Sequence, residues 1–104
     1  MKIYIDRKVH YEIERFYEAS LLLHEALDEV TVNKKIERLY DALEDLSVYA
    51  HIYSKARYKQ EWIDLGYKEF ICEDFHFAYQ ICNNEYGEEI VRIKDACHSL
   101  LYHN

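Results

Sequence analysis

The chain has 104 residues, half of them apolar and about a third charged, which allows one globular domain spanning 1–104 with a single core and argues against a disordered or membrane protein. A net charge of −7 argues against a protein that grips nucleic acid over its whole surface, because phosphate binding rests on Lys and Arg. No apolar run approaches the roughly 20 residues of a membrane span, and "MKIYIDRKVH" lacks the apolar stretch of a signal peptide, so no membrane partner and a cytoplasmic location are expected.

Lys2 to Ile5 alternates and is β-branched, which predicts a short first strand; Asp6 can cap a helix that starts at about Arg7. Val9, Ile13, Phe16, Ser20, Leu23 and Leu27 recur every three or four residues, with Glu12, Glu14, Glu18 and Glu25 mostly on other faces, the pattern of an amphipathic helix. Val30, Thr31 and Val32 interrupt it, and Thr31 is a candidate cap for a second helix carried by Val32, Ile36, Leu39, Leu43, Leu46 and Ala50. Two such helices with a short connection form an antiparallel hairpin whose apolar stripe needs another layer to cover it.

The stretch from His51 to Trp62 fixes no element. After Gly66 the period falls from about 3.6 to 2. Tyr67 to Cys72 and Phe75 to Ile81 read as strands around a two-residue turn, Glu73-Asp74, which lacks the glycine such turns favour. Asn83 to Glu89 makes a looser turn into a last strand, Ile90 to Ala96, and the absence of proline leaves all three strands free to be central. The expected fold is α+β: an N-terminal strand, an antiparallel helical hairpin, then a three-stranded antiparallel meander with the helices packed on one sheet face.

If Glu73 and Asp74 form the turn, Cys72 lies opposite Phe75 and Phe70 opposite Phe77, so Phe70, Cys72, Phe75, Phe77, Tyr79 and Ile81 share an apolar face for the helices. The other face then receives Tyr67, Glu69, Ile71, His76, Ala78 and Gln80. With Val91 and Ile93 pointing inward, it also receives Arg92, Lys94, Ala96 and His98. Two histidines, an arginine, a lysine, a carboxylate and a tyrosine on one face suit proton transfer on a phosphate-bearing substrate, although a sheet covered on one side shows polar residues on the other in any case.

The remaining candidates are weaker. Lys55, Arg57 and Lys59 in "SKARYK" are either a phosphate-contacting segment or a solvated charge cluster. Eleven tyrosines could stack on bases, but packing at helix flanks accounts for Tyr17, Tyr40, Tyr49 and Tyr53. His10, His24 and His51 lack ligand spacing. Cys72, Cys82 and Cys97 form no CxxC pair, so they read as reduced, half-buried strand residues, with no metal and no disulfide framework indicated.

The order strand, helical hairpin and three-stranded meander resembles the RelE/ParE superfamily of bacterial type II toxins. At residue level "GYKEFICEDFHFAYQICNNEYGEEIVRIKDACHS" resembles that family's closing pattern: a basic residue after glycine, a strand ending near a tyrosine, a polar turn, and an Ile/Val-rich strand leading to a basic or histidine-containing end. The resemblance implies a ribosome-dependent mRNA endoribonuclease that needs no cofactor, is restrained by a cognate antitoxin, and has mRNA and the ribosome as further partners. A homodimer is left open. It implies His98 as acid or base, Arg92 as the phosphate-stabilising cation and Lys68 as the basic residue after glycine, with Tyr102 and His103 matching a terminal Tyr/His feature; the face pattern adds His76 as a further catalytic candidate and turns Lys68 toward the core. Lys55, Arg57, Lys59 and Lys94 complete the expected substrate contacts. "DACHSLLYHN" replaces the usual arginine-rich ending, which keeps alive a second expectation, a ParE-like gyrase inhibitor or an inactive homologue that binds protein.

Overall fold

The computed structural model describes residues 1–23 and 28–102. Strand β1 (Lys2–Ile5) leads into helix α1 (Arg7–Leu23), followed by α2 (Glu29–Tyr49), a 3-10 turn (Ala50–Ile52), the short helix α3 (Gln60–Asp64), strands β2 (Lys68–Cys72), β3 (Phe75–Asn83) and β4 (Glu89–His98), and a second 3-10 turn (Ser99–Leu101). The result is α+β, built on a four-stranded mixed sheet in the order β1-β4-β3-β2. The β2–β3 and β3–β4 pairs are antiparallel, and β1 lies parallel to β4 at the sheet edge.

Asp6 marks the start of α1 through its carbonyl, which accepts the Val9 N–H, while its carboxylate is drawn to Lys94. The cap of α2 is Asp28 rather than Thr31: its Oδ1 accepts the Thr31 N–H at 2.7 Å, which places the helix start three residues before the β-branched cluster ends. Leu27 and Glu25 of the predicted first helix, with His24 and His103, lie outside the described residues.

The apolar face of the meander forms as the alternation predicts. Phe70 pairs with Phe77 and Cys72 with Phe75, and Phe75, Phe77 and Tyr79 are buried beneath Val9, Ile13, Leu39, Leu43 and Leu46 of the two long helices. Full burial of a side chain of this size is worth about 1.5–3 kcal/mol, so this layer is the main source of stability. The buried Tyr79 hydroxyl donates to the Ala50 carbonyl at 2.6 Å, tying the end of α2 to the sheet centre. The turn at Glu73 and Asp74 holds both residues at positive φ, +48° and +68°, so the tight connection forms without its usual glycine.

The second sheet face is also covered in part, by the segment that periodicity leaves unassigned. Ser54 O accepts the Glu69 N–H and Ala56 N–H donates to Tyr67 O, which ties this segment along the outer edge of β2. The five residues of α3 then place Trp62, fully buried, against Ala78 and Ala56. Gly66 at φ +71° ends α3 with the Tyr67 N–H on the Trp62 carbonyl and its own N–H on the Ile63 carbonyl, a closure that needs a left-handed residue.

Candidate functional site

Which side chains share the second face depends on a single irregularity. β3 and β4 are in simple register from Asn83–Glu89 to Tyr79–Ile93, after which Ala78 pairs with Asp95, leaving Lys94 as an extra residue. Such a bulge reverses the alternation of every residue beyond it. Ala96 and His98, expected on the second face with Arg92, are therefore turned to the helix face, and Asp95 and Cys97 take their place.

His98 shows the consequence most directly. Its imidazole stacks on Phe16 of α1 with ring centroids 3.7 Å apart and meets the edge of Phe75, and its Nδ1 accepts the Leu100 N–H at 3.1 Å. An Nδ1 that accepts carries no proton, and burial, with Lys35 and His76 adding to it, holds this histidine below its ordinary titration range. His98 is thus a packed, neutral group on the face opposite His76.

What does converge on the second face is Glu69, His76 and Tyr102. The two-residue turn sets Glu69 opposite Ala78 and Ile71 opposite His76, so Glu69 and His76 are diagonal neighbours on adjacent strands. Their side chains are only 11% and 14% exposed, and His76 Nδ1 lies 2.9 Å from Glu69 Oε2. With a carboxylate as its partner, Nδ1 is the donor, and among the described residues Nε2 has no hydrogen-bond partner.

Tyr102 donates its hydroxyl to Glu69 Oε1 at 2.8 Å and lays its ring on His76, with centroids 3.9 Å apart and planes inclined by 11°. Burial first, and then the hydrogen bond and charge of Glu69, push this phenol far above its usual range, so it remains a neutral donor. Both oxygens of Glu69 are thereby engaged, one orienting the imidazole and the other holding Tyr102.

Cations border this group. Arg57 and Lys55 share a surface depression with Glu69, Tyr58, Ser54 and Ile71, and the Lys59 ammonium sits 5.7 Å above Trp62 and 6.0 Å from the Tyr102 ring. Among the described residues none of the three forms a salt bridge, although Arg57 makes a long 3.4 Å contact to Ser54 Oγ. In a chain of net charge −7, these three cations at alternate positions make the border of the His–Glu pair locally basic.

No protein-family model, curated protein or solved structure matches the chain.

The other expected residues lie apart from this centre. Arg92 is on the second face, as predicted, but pairs with Gln80, four residues from His76 along β3 or about 13 Å at the usual rise, and its guanidinium lies over Tyr4 instead. Lys94 is committed to Asp6 at 3.1 Å. Lys68 lies on the helix side with Phe70, as the pattern indicates, and its ammonium donates to the carbonyls of Tyr53 at 2.6 Å and His51 at 3.5 Å. His10 meets the Tyr40 hydroxyl, and His51 pairs with Glu89. Cys72, Cys82 and Cys97 are half-buried and free, and the described residues hold no cluster of three or more metal-ligating side chains.

Two members of this region carry no sequence signal. Trp62 donates its indole N–H to Asp95 Oδ2 at 3.0 Å, and the same oxygen takes the Lys8 ammonium at 3.2 Å. Asp95 is 8% exposed, and its other oxygen accepts the Ala96 N–H. Burial alone would lower Lys8, but the charge and hydrogen bond of Asp95, with the charges of Glu61 and Glu12, together outweigh it and raise the ammonium. This carboxylate pins α1, α3 and the bulge together and so fixes the far wall of the site. Glu69, by contrast, could have been joined to His76 from the turn register alone.

Proposed function

We propose that the chain is a RelE-like toxin, an endoribonuclease acting on mRNA at the ribosome without a cofactor, and that its reacting centre is the Glu69–His76 pair rather than His98. What carries the proposal is one observation: a largely buried imidazole, oriented by a carboxylate on Nδ1 and without a partner on Nε2 among the described residues, beside three cations that form no salt bridge among those residues. The succession of strand, two long helices and antiparallel meander, on which the resemblance rests, supports this reading.

In this scheme His76 Nε2 takes the proton of a ribose 2′-hydroxyl while Glu69 stabilises the imidazolium that forms. The 2′-oxygen bonds to the neighbouring phosphorus, the bond from phosphorus to the 5′-oxygen breaks with that leaving oxygen taking a proton from solvent water, the His76 imidazolium returns its proton to solvent, and Arg57 and Lys59 offset the charge that builds on the phosphoryl oxygens. Products are a 2′,3′-cyclic phosphate and a 5′-hydroxyl end. A cognate antitoxin is the partner that this activity requires in the cell.

A second reading is favoured by Trp62, which with α3 fills the face between His76 and Arg92 and leaves less open sheet for RNA. In that case the chain is a protein-binding module, either a ParE-like gyrase inhibitor or a homologue without nuclease activity. Induction of the protein alone in cells separates the two. Translation arrest with cut mRNA, relieved by His76→Ala and unaffected by His98→Phe, supports the nuclease; DNA damage signalling with intact mRNA supports the gyrase inhibitor.

A further inference from the structure

We propose that residues 98–102 act as a strap that covers the Glu69–His76 pair, with Tyr102 as its closing contact and His98 as its latch. This regulation rests on the reading of that pair as the reacting centre.

The strap starts on one face of the sheet and finishes on the other. His98 is stacked on Phe16 on the helix side; the chain then rounds the β2–β3 turn, where Ser99 N–H and Oγ both donate to the Asp74 carbonyl at 2.7 and 2.8 Å. Four residues after His98, Tyr102 lands on the second face with its ring over His76 and its hydroxyl on Glu69. It thus occupies one whole side of the imidazole and the Glu69 oxygen that the imidazole leaves free.

The strap is closed but lightly held. Leu100 is 78% exposed and Leu101 57% exposed, so the 3-10 turn itself gains almost nothing from apolar burial. A cavity lies beside Leu101, lined by Glu12, Arg15, Phe16 and Ala19, so even this contact is loosely seated. Apart from the Tyr102 ring at one end and the stacked His98 at the other, what keeps the strap shut is a few hydrogen bonds, including the one from Leu100 N–H to His98 Nδ1. Segments with so few buried contacts open locally at far lower cost than the whole domain. The sheet, turn and α3 beneath it need not move.

The test is the rate at which diethyl pyrocarbonate modifies His76, mapped by mass spectrometry on the intact chain, because this readout needs neither RNA nor activity. In Tyr102→Ala the rate should rise by about fivefold, the factor that one net hydrogen bond of about 1 kcal/mol represents. Tyr102→Phe, which keeps the stack and loses the hydroxyl, should lie between it and the native chain. His98→Phe keeps the aromatic packing on Phe16 and removes the acceptor for Leu100, so it should raise modification of His76 from the other side of the sheet. An unchanged rate in Tyr102→Ala overturns the strap, as does a rise in Tyr102→Ala with none in His98→Phe for the latch. If the rates rise as stated yet no variant cuts RNA, the strap stands and the nuclease assignment falls.

Discussion

The two faces of the sheet are built by the same strands but are covered in different ways. One is roofed by two long helices over Phe75, Phe77, Tyr79, Val91 and Ile93, all fully or nearly fully buried. The other is covered by a five-residue helix that carries one tryptophan and by residues 98–102, and its polar groups are joined in threes: Glu69 with His76 and Tyr102, Asp95 with Trp62 and Lys8. The first face holds the fold through area. The second depends on a few specific contacts, which is the arrangement in which an oriented imidazole can be kept near water.

The largest expected effect tests whether the second face contributes to stability at all. Trp62→Ala should cost about 3–5 kcal/mol in urea unfolding, comparable with Phe77→Ala on the helix face, since it opens a cavity and leaves buried Asp95 without its indole donor. A loss under about 1 kcal/mol for Trp62→Ala, set against that scale, would mean that α3 is only laid on the sheet. A smaller gain is expected at the turn that fixes the register of both faces. Replacing Glu73 and Asp74 by Asn and Gly puts at these two left-handed positions the residues that tolerate them best and should raise stability by about 1 kcal/mol.

The smallest effect is in pH. An unfolded histidine titrates near 6.5, whereas His98 in the fold is held below that, first by burial, with Lys35 and His76 adding and Asp74 opposing. Between those two values the unfolded chain binds the extra proton, so the contribution of neutral His98 is complete above pH 6.5 and is lost as pH falls through that value toward the folded one. His98→Phe should flatten the decline of the urea midpoint on the acid side; an equally steep decline in the variant would mean that other groups carry it.

The helix-covered face was legible in the sequence because two independent periods met on it. The stripe from Val9 to Leu46 runs at helical spacing and Phe75 to Ile81 at strand spacing, and a two-residue turn leaves little freedom in how Phe70 and Cys72 are paired. The second face was only half legible. Glu69, His76 and Arg92 fall on it by alternation, but no local residue type announces the bulge at Lys94, which is accompanied by the pairing of Lys94 with Asp6 and of Asp95 with Trp62. Both pairings are long-range, so parity beyond Ile93 could not be read, and His98 was placed on the wrong side. α3 was invisible for a different reason: five residues are too few to show a helical period.

The central claim is that the chemistry resides at Glu69–His76 and not at His98. Its most direct test is cleavage of mRNA on purified ribosomes, followed by primer extension, for the native chain, His76→Ala, Glu69→Gln and His98→Phe, each checked for folding by circular dichroism. We expect cleavage by the native chain, a fall of about 10²–10⁴-fold in His76→Ala, the range typical of losing a positioned base, a smaller fall in Glu69→Gln, and retention in His98→Phe. Cleavage that survives His76→Ala but disappears in folded His98→Phe would contradict the account.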